Sequence, residues 1–128
     1  MNHRITKQEM VSFEKDLFTE ASNEYGTWSY VSCRKIDAII PRFRKIEANQ
    51  FVSDIVEKML DQSSNTLTKY KLSQLCSLIA MKKLPQFAES FLNLKEPLEK
   101  FISTTEKAPL IDATVNYIRP LISIEHTD

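Results

Sequence analysis

The amino-acid sequence predicts an all-α protein, and three observations lead to this fold class. Apolar residues recur at helical spacing in several segments, as at Phe13, Leu17 and Ala21. The 128 residues include one glycine, Gly26, so few flexible breaks interrupt the helical pattern. No run of alternating β-branched residues bounded by turn dipeptides indicates a strand. We expect a single compact bundle of about six to eight helices, longer in the N-terminal two thirds.

Length and composition are typical of one globular domain. The chain has 128 residues, of which 42% are hydrophobic and 27% charged. We therefore expect residues 1–128 to form a single all-helical domain, with segments 1–5 and 126–128 frayed at its ends.

The first helix has the clearest start signal. Thr6 and Glu9 have the spacing of a capping box, and Ile5 with Met10 completes a hydrophobic staple. We expect the helix to end at Gly26, because glycine readily adopts the left-handed conformation that terminates helices.

The second helical segment contains a proline. Cys33, Ile36 and Phe43 keep helical spacing across Pro41. Two alternatives remain open: the helix kinks at Pro41, or one helix stops near Ile39 and another starts at the proline.

Two further helices follow before residue 84. An apolar stripe runs over residues 48–60 and ends at a polar loop, 61–66. Asn65, Thr66 or Thr68 can cap the next helix. Residues 72–81 (LSQLCSLIAM) are apolar nearly all the way round, which predicts the central helix of the bundle.

Four prolines punctuate the last third of the chain at intervals of 12, 12 and 11 residues: Pro85, Pro97, Pro109 and Pro120. Proline is well placed at the first position of a helix, so the pattern predicts short Pro-initiated helices after residue 84. The residues before the prolines are poor N-caps, which leaves open whether some prolines kink longer helices instead. Asn93 and Asn116 are candidate helix stops.

The sequence lacks the residues that several enzyme classes require. One glycine cannot form a phosphate-binding loop or a dinucleotide fingerprint. The two histidines, His3 and His126, lie near the chain ends, where an ordered triad or zinc site is not expected. Cys33 and Cys76 are isolated, so we expect two reduced core thiols. We expect no catalytic residue, cofactor or metal, and no enzymatic activity.

One short motif points to a ribonuclease. Arg119 and His126 are separated by six residues, with Pro120 directly after the arginine. This spacing resembles the Arg–x(4–6)–His signature of HEPN ribonucleases, helical-bundle enzymes that cleave RNA as dimers. The resemblance implies RNA cleavage by Arg119 and His126, and it is the third functional hypothesis.

The charges sum to zero but are unevenly placed. Lys plus Arg and Asp plus Glu each number 17, yet residues 33–50 contain five basic and two acidic side chains. If residues 33–46 approximate one helix, most of these basic side chains share one face. The candidate binding face consists of Arg34, Lys35, Arg42, Arg44 and Lys45, and residues 69–83 contribute four further lysines. Phosphates, an acidic partner or the acidic first helix are candidate contacts.

Two more segments are candidates for recognition. Trp28 and Tyr30 follow the Gly26 turn, where aromatic residues either anchor an interface or close a helix end. Residues 69–92 are a candidate helix-turn-helix, with Pro85 near the start of its recognition helix.

We expect a small cytoplasmic adaptor, regulatory or inhibitory protein that binds another protein and has no active site. The N-terminus has no apolar signal region, and the apolar run 72–81 is about half a membrane span, so we expect no membrane partner. The alternative is a nucleic-acid-binding transcriptional or plasmid/phage-type regulator that uses segment 34–45, with 69–83. A homodimer is left open.

Overall fold

All regular structure in the described part of the chain is helical. The computed structural model describes residues 4–106 and 108–122, in which seven α-helices and two 3-10 turns follow one another with no strand. The predicted all-α fold class is confirmed. The α-helices are α1 (Lys7–Ala21), α2 (Tyr30–Ile39), α3 (Lys45–Leu60), α4 (Thr66–Met81), α5 (Ala88–Leu92), α6 (Lys95–Thr104) and α7 (Pro109–Ile122), and the 3-10 turns are Ile40–Arg42 and Pro85–Phe87.

Helix α1 begins at the predicted capping box and ends earlier than predicted. The Glu9 N–H donates to Thr6 Oγ1 at 3.1 Å, and the Thr6 N–H donates to Glu9 Oε1 at 3.0 Å. The expected stop at Gly26 is wrong, because the helix ends at Ala21 and Gly26 does not have a positive φ. The backbone N–H and the hydroxyl of Ser22 both donate to the Phe18 carbonyl, so the last turn needs no left-handed glycine.

The chain breaks its helix at Pro41 rather than bending it. Helix α2 stops at Ile39, and Ile40–Arg42 forms a 3-10 turn with Pro41 in its first positions. Phe43 is extended and leads into α3. The second of the two alternatives is therefore correct, because a proline in the first turn loses no intrahelical hydrogen bond.

Helix α4 lies at the centre of the bundle, packed against α1, α3 and α7. Asn65 is its N-cap and accepts a hydrogen bond from the Thr68 N–H at 2.8 Å. The central side chains of the helix, including Leu72 and Leu75, are fully buried. Met81, at the C-terminal end, is exposed, so the apolar pattern covers the core only over the earlier turns.

A chain of phenylalanine rings joins the N-terminal helices to the start of the C-terminal third. Phe13 of α1 stacks on Phe51 of α3 at 5.5 Å between ring centroids, and Phe43 meets Phe51 edge-on at 5.2 Å. Phe43 also stacks on Phe87, which in turn faces Phe91 of α5. Aromatic pairs at these distances add favourable edge and face contacts to the burial of apolar surface. They hold the 3-10 turns against α3.

The four spaced prolines have different positions in their helices. Pro85 and Pro109 open a 3-10 turn and α7, as predicted. Pro97 is the third residue of α6, where its missing N–H has no intrahelical partner. Pro120 lies inside α7. Helix α7, with 14 residues, is therefore longer than the short helices expected after residue 84.

Of the two asparagines predicted as helix stops, Asn93 ends a helix and Asn116 does not. Asn93 ends α5 in a right-handed conformation, with φ of −72°. Asn116 lies inside α7 and does not stop it. It is exposed, so water can satisfy its carbonyl, the acceptor that the ring of Pro120 leaves without an N–H.

Of the segments expected to fray, residues 1–3 and 126–128 lie outside the described residues, whereas Ile5 is buried.

Candidate protein-interaction surfaces

The five basic residues of the candidate binding face do not lie on one helix. Arg34 and Lys35 lie in α2, and Arg42 lies in the 3-10 turn. Arg44 is the residue before α3, and Lys45 is the first residue of α3. The assumption that residues 33–46 approximate one helix is wrong, because the break at Pro41 separates the two halves of the block.

Both of the later arginines are bound to carboxylates of this chain. Arg42 Nη1 and Nη2 donate to the two oxygens of Glu9 at 2.9 Å each, and this pairing lowers the pKa of Glu9 to about 2. Arg44 Nη2 lies 2.9 Å from Glu47 Oε2, and the pKa of Glu47 is lowered by the same contact. Two-point pairing of this kind orients the guanidinium rigidly. A phosphate group would have to displace these carboxylates to reach either arginine.

The remaining basic residues of the face differ in their pairing. Lys35 Nζ lies 3.5 Å from Asp16 on α1, and Lys45 Nζ lies 2.5 Å from Glu89 on α5. Within the described residues Arg34 forms no ion pair with a carboxylate. Arg34 is therefore the member of the face that offers an uncompensated charge to a partner.

In segment 69–83, the other group of basic residues, two lysines bind the C-terminal ends of helices. The Lys71 side chain is buried, and its ammonium donates to the Glu20 carbonyl at 2.5 Å and to Asn23 Oδ1 at 2.8 Å. Lys69 Nζ donates to the carbonyls of Met59 and Asp61. A cation at a helix C-terminus satisfies unpaired carbonyls and complements the helix dipole. These lysines cap α1 and α3 and are not available to nucleic acid.

Residues 69–92, the candidate helix-turn-helix, contain no helix that could serve as a recognition helix. After α4 the chain forms a 3-10 turn, Pro85–Phe87, and then the five-residue α5. Phe87 and Phe91 are buried in the core. A five-residue helix with a buried face cannot lie in a DNA groove in the manner of this motif.

Helix α2 carries two large apolar side chains that are exposed. Ile36 is the one buried residue that anchors it to the bundle. On the opposite side, Tyr30 is 74% exposed and Val31 is 64% exposed, and Arg34 lies one turn further along the helix. We call Tyr30, Val31 and Arg34 the α2 outer face.

Tyr30 and Arg34 are pre-organised with respect to each other. Arg34 Cζ lies 5.7 Å from the centroid of the Tyr30 ring, and Arg34 Nη1 donates to Tyr30 Oη at 3.1 Å. Cation–π and hydrogen-bond contacts of this kind restrict both side chains before any partner arrives. The α2 outer face thus combines a large apolar ring with an oriented guanidinium.

Trp28, the other candidate aromatic residue, closes the protein interior instead. It is buried, its indole N–H donates to the Lys71 carbonyl at 2.8 Å, and the Lys71 ammonium lies 5.2 Å from its ring. The ring therefore fastens the loop before α2 to α4 and cannot serve as an exposed interface residue.

A long groove runs between α3 and the α5–α6 segment. Two adjoining depressions, of about 380 and 730 Å³, share Leu60, Asn93 and Pro97 in their walls. We call this feature the α3–α6 groove; Asn49 and Glu57 lie at one part of it, and Gln62, Glu96, Lys100 and Phe101 at the other. No local pattern in the sequence marks these residues, because they come together only when the helices pack.

A pair of carboxyl groups joins α1 to α3. Glu14 is hydrogen-bonded to Asp54, and burial together with this neighbouring acid raises the pKa of Glu14 to about 8. Among the described residues Glu14 Oε1 is buried and has no hydrogen-bond partner, while Gln50 donates to Asp54 Oδ1 at 2.8 Å. The pair resembles the shared-proton arrangement that general acids use.

Both cysteines are reduced, and of the ribonuclease motif only Arg119 lies among the described residues. Both cysteines are free: Cys33 is half-buried with a raised pKa, and burial raises the pKa of the Cys76 thiol to about 12. Arg119 lies on α7, and His126 lies outside the described residues. In residues 4–106 and 108–122, no group of three metal-binding side chains is arranged to hold an ion.

No helix in the described ranges is long and apolar enough to cross a bilayer. Comparison of the chain with family models, with curated proteins and with solved structures finds no match.

Proposed function

We propose that this protein is a non-catalytic adaptor or regulatory protein that binds another protein through the α2 outer face. The partner surface carries a carboxylate beside an apolar side chain. The carboxylate pairs with Arg34, and the apolar side chain packs on Tyr30 and Val31.

The observation that supports this proposal most strongly is the state of Tyr30 and Arg34. Tyrosine and arginine are the residue types that most often dominate binding energy at interfaces. Here both are exposed, they contact each other, and Arg34 has no carboxylate partner among the described residues. A partner carboxylate would complete a charge-assisted hydrogen bond that the chain itself leaves unmade.

The test is affinity capture from the native host with a matched pair of variants. The test variant is Tyr30→Ala with Arg34→Ala. The control variant is Val11→Ala with Lys15→Ala, which removes an exposed apolar residue and a cation at the same i,i+4 spacing on α1.

We expect a captured protein that the control variant retains and the test variant loses. Affinity for that protein should fall by roughly tenfold or more in the test variant, as for a small cluster of interface anchor residues. The proposal is wrong if the test and control variants capture the same proteins with equal affinity. If binding depends steeply on salt and is lost in Arg42→Ala with Arg44→Ala instead, the result would favour the nucleic-acid alternative.

A further inference from the structure

We propose that the α3–α6 groove is a second binding site, which takes an extended peptide segment of a partner protein that carries a basic side chain. This site is distinct from the α2 outer face, and its use does not depend on the function proposed for that face.

The polar groups of the groove match a peptide main chain. Within the described residues, the side-chain amides of Asn93 and Gln62 are exposed and form no hydrogen bond. Asn49 Oδ1 accepts a hydrogen bond from Ser90 Oγ at 2.6 Å, which leaves the amide nitrogen of Asn49 available. A side-chain amide both donates and accepts, as does each peptide unit, so these three residues can satisfy an extended backbone.

The dimensions of the groove suit a short extended segment. It follows α3 from Asn49 to Leu60, a distance of about 16 Å at 1.5 Å of rise per residue. An extended chain covers this distance with about five residues. Leu60 and Phe101 supply apolar wall, and Phe101 is held in place by Lys69, whose ammonium lies 5.8 Å from its ring centroid.

The charge of the groove selects against nucleic acid and for a basic peptide. Glu57 and Glu96 line the groove and form no ion pair within the described residues, and Lys100 is the one cation among its lining residues. Two carboxylates against one ammonium repel a phosphate backbone and attract a lysine or arginine side chain. Pro97, in the first turn of α6, adds apolar surface to the same wall and has a φ fixed by its ring.

The test starts from a displayed library of random peptides of about twelve residues, panned against the full chain. A selected peptide is then labelled with a fluorophore, and its affinity is measured by anisotropy. The test variant is Glu57→Lys with Glu96→Lys. The charge-matched control is Glu24→Lys with Glu99→Lys, two exposed acids outside the groove. A third variant, Asn93→Ala, removes a side-chain amide that would contact the main chain of the peptide, and it does not change the charge.

We expect the selected peptides to be enriched in basic and apolar residues. Reversal of the groove charges should weaken binding by roughly tenfold or more, Asn93→Ala by about three- to tenfold, and the control by less than about twofold. Failure to select any peptide, selection of acidic peptides, or equal losses in test and control variants would each overturn the proposal. Tyr30→Ala with Arg34→Ala should leave peptide binding unchanged, which separates this site from the α2 outer face.

Discussion

The Glu14–Asp54 pair predicts that replacing Glu14 changes how stability depends on pH. The pKa of Glu14 is raised to about 8 in the folded protein, against an ordinary value of 4.5. Below about pH 4.5 the carboxyl group is protonated in both states, and its favourable contribution to folding is complete. As the pH rises towards 8, the unfolded chain releases the proton while the folded chain keeps it, so the free energy of unfolding falls.

The size of this effect follows from the shift and from the exposure of the group. A shift from 4.5 to about 8 corresponds to about 5 kcal/mol if it is converted in full. Glu14 is only half-buried, so solvent screening reduces the expected effect to about 1–2 kcal/mol. Glu14→Gln keeps a hydrogen-bond donor towards Asp54 and cannot ionise. It should match the native protein near pH 4.5 and exceed it in stability by about 1–2 kcal/mol at pH 8.5.

The measurement is urea unfolding followed by circular dichroism at several pH values between 4.5 and 9. His3 and His126 are present in both proteins, so their titration cancels in the difference between them. Glu24→Gln, at an exposed position in the loop after α1, serves as control and should run parallel to the native protein. If the curves of Glu14→Gln and the native protein are parallel across this range, the pKa of Glu14 is not raised in the folded protein.

Two further predictions concern α4. Lys83, just beyond the C-terminus of this helix, has a positive φ of 52°, which costs a non-glycine residue about 1 kcal/mol. Lys83→Gly should therefore raise the free energy of unfolding by about 0.5–1 kcal/mol. An unchanged urea midpoint would contradict this prediction. Lys71→Met keeps the packing of the buried chain but removes the ammonium from the Glu20 carbonyl and Asn23, so it should lower stability by about 1–3 kcal/mol in thermal unfolding. The matched exposed variant Lys15→Met should change little, and a Lys71→Met protein as stable as the native one would show that the buried ammonium contributes nothing net.

The sequence was most informative where a structural signal is local. The capping box at Thr6, the N-cap at Asn65 and the stripe of α3 each involve side chains within one or two helical turns. Helix formation at such places depends on neighbours in sequence, so the pattern is sufficient. The same reasoning was less reliable for terminators: Gly26 and Asn116 can end a helix, but neither does so here.

Burial of polar residues could not be derived from the pattern. Lys71 stands beside apolar residues in α4, and nothing local distinguishes it from Lys69 or Lys82. Its burial depends on the Glu20 carbonyl, 51 positions earlier in the chain, which meets its ammonium only in the folded state. The raised pKa of Glu14 likewise depends on its burial in the folded protein and on Asp54, 40 residues further on.

The sequence by itself determined the all-α class, the starts of α1 and α7 and the central place of α4, because these follow from hydrophobic periodicity and from capping or proline signals within a few residues. The tertiary structure alone decided which basic side chains remain available to bind a partner. It paired Arg42 with Glu9 and Lys45 with Glu89, whereas among the described residues it placed no carboxylate on Arg34. It also brought Asn49, Asn93 and Gln62 into one groove. The ion pairs between different helices and the groove form between residues distant in sequence, and their positions are set by how the helices pack.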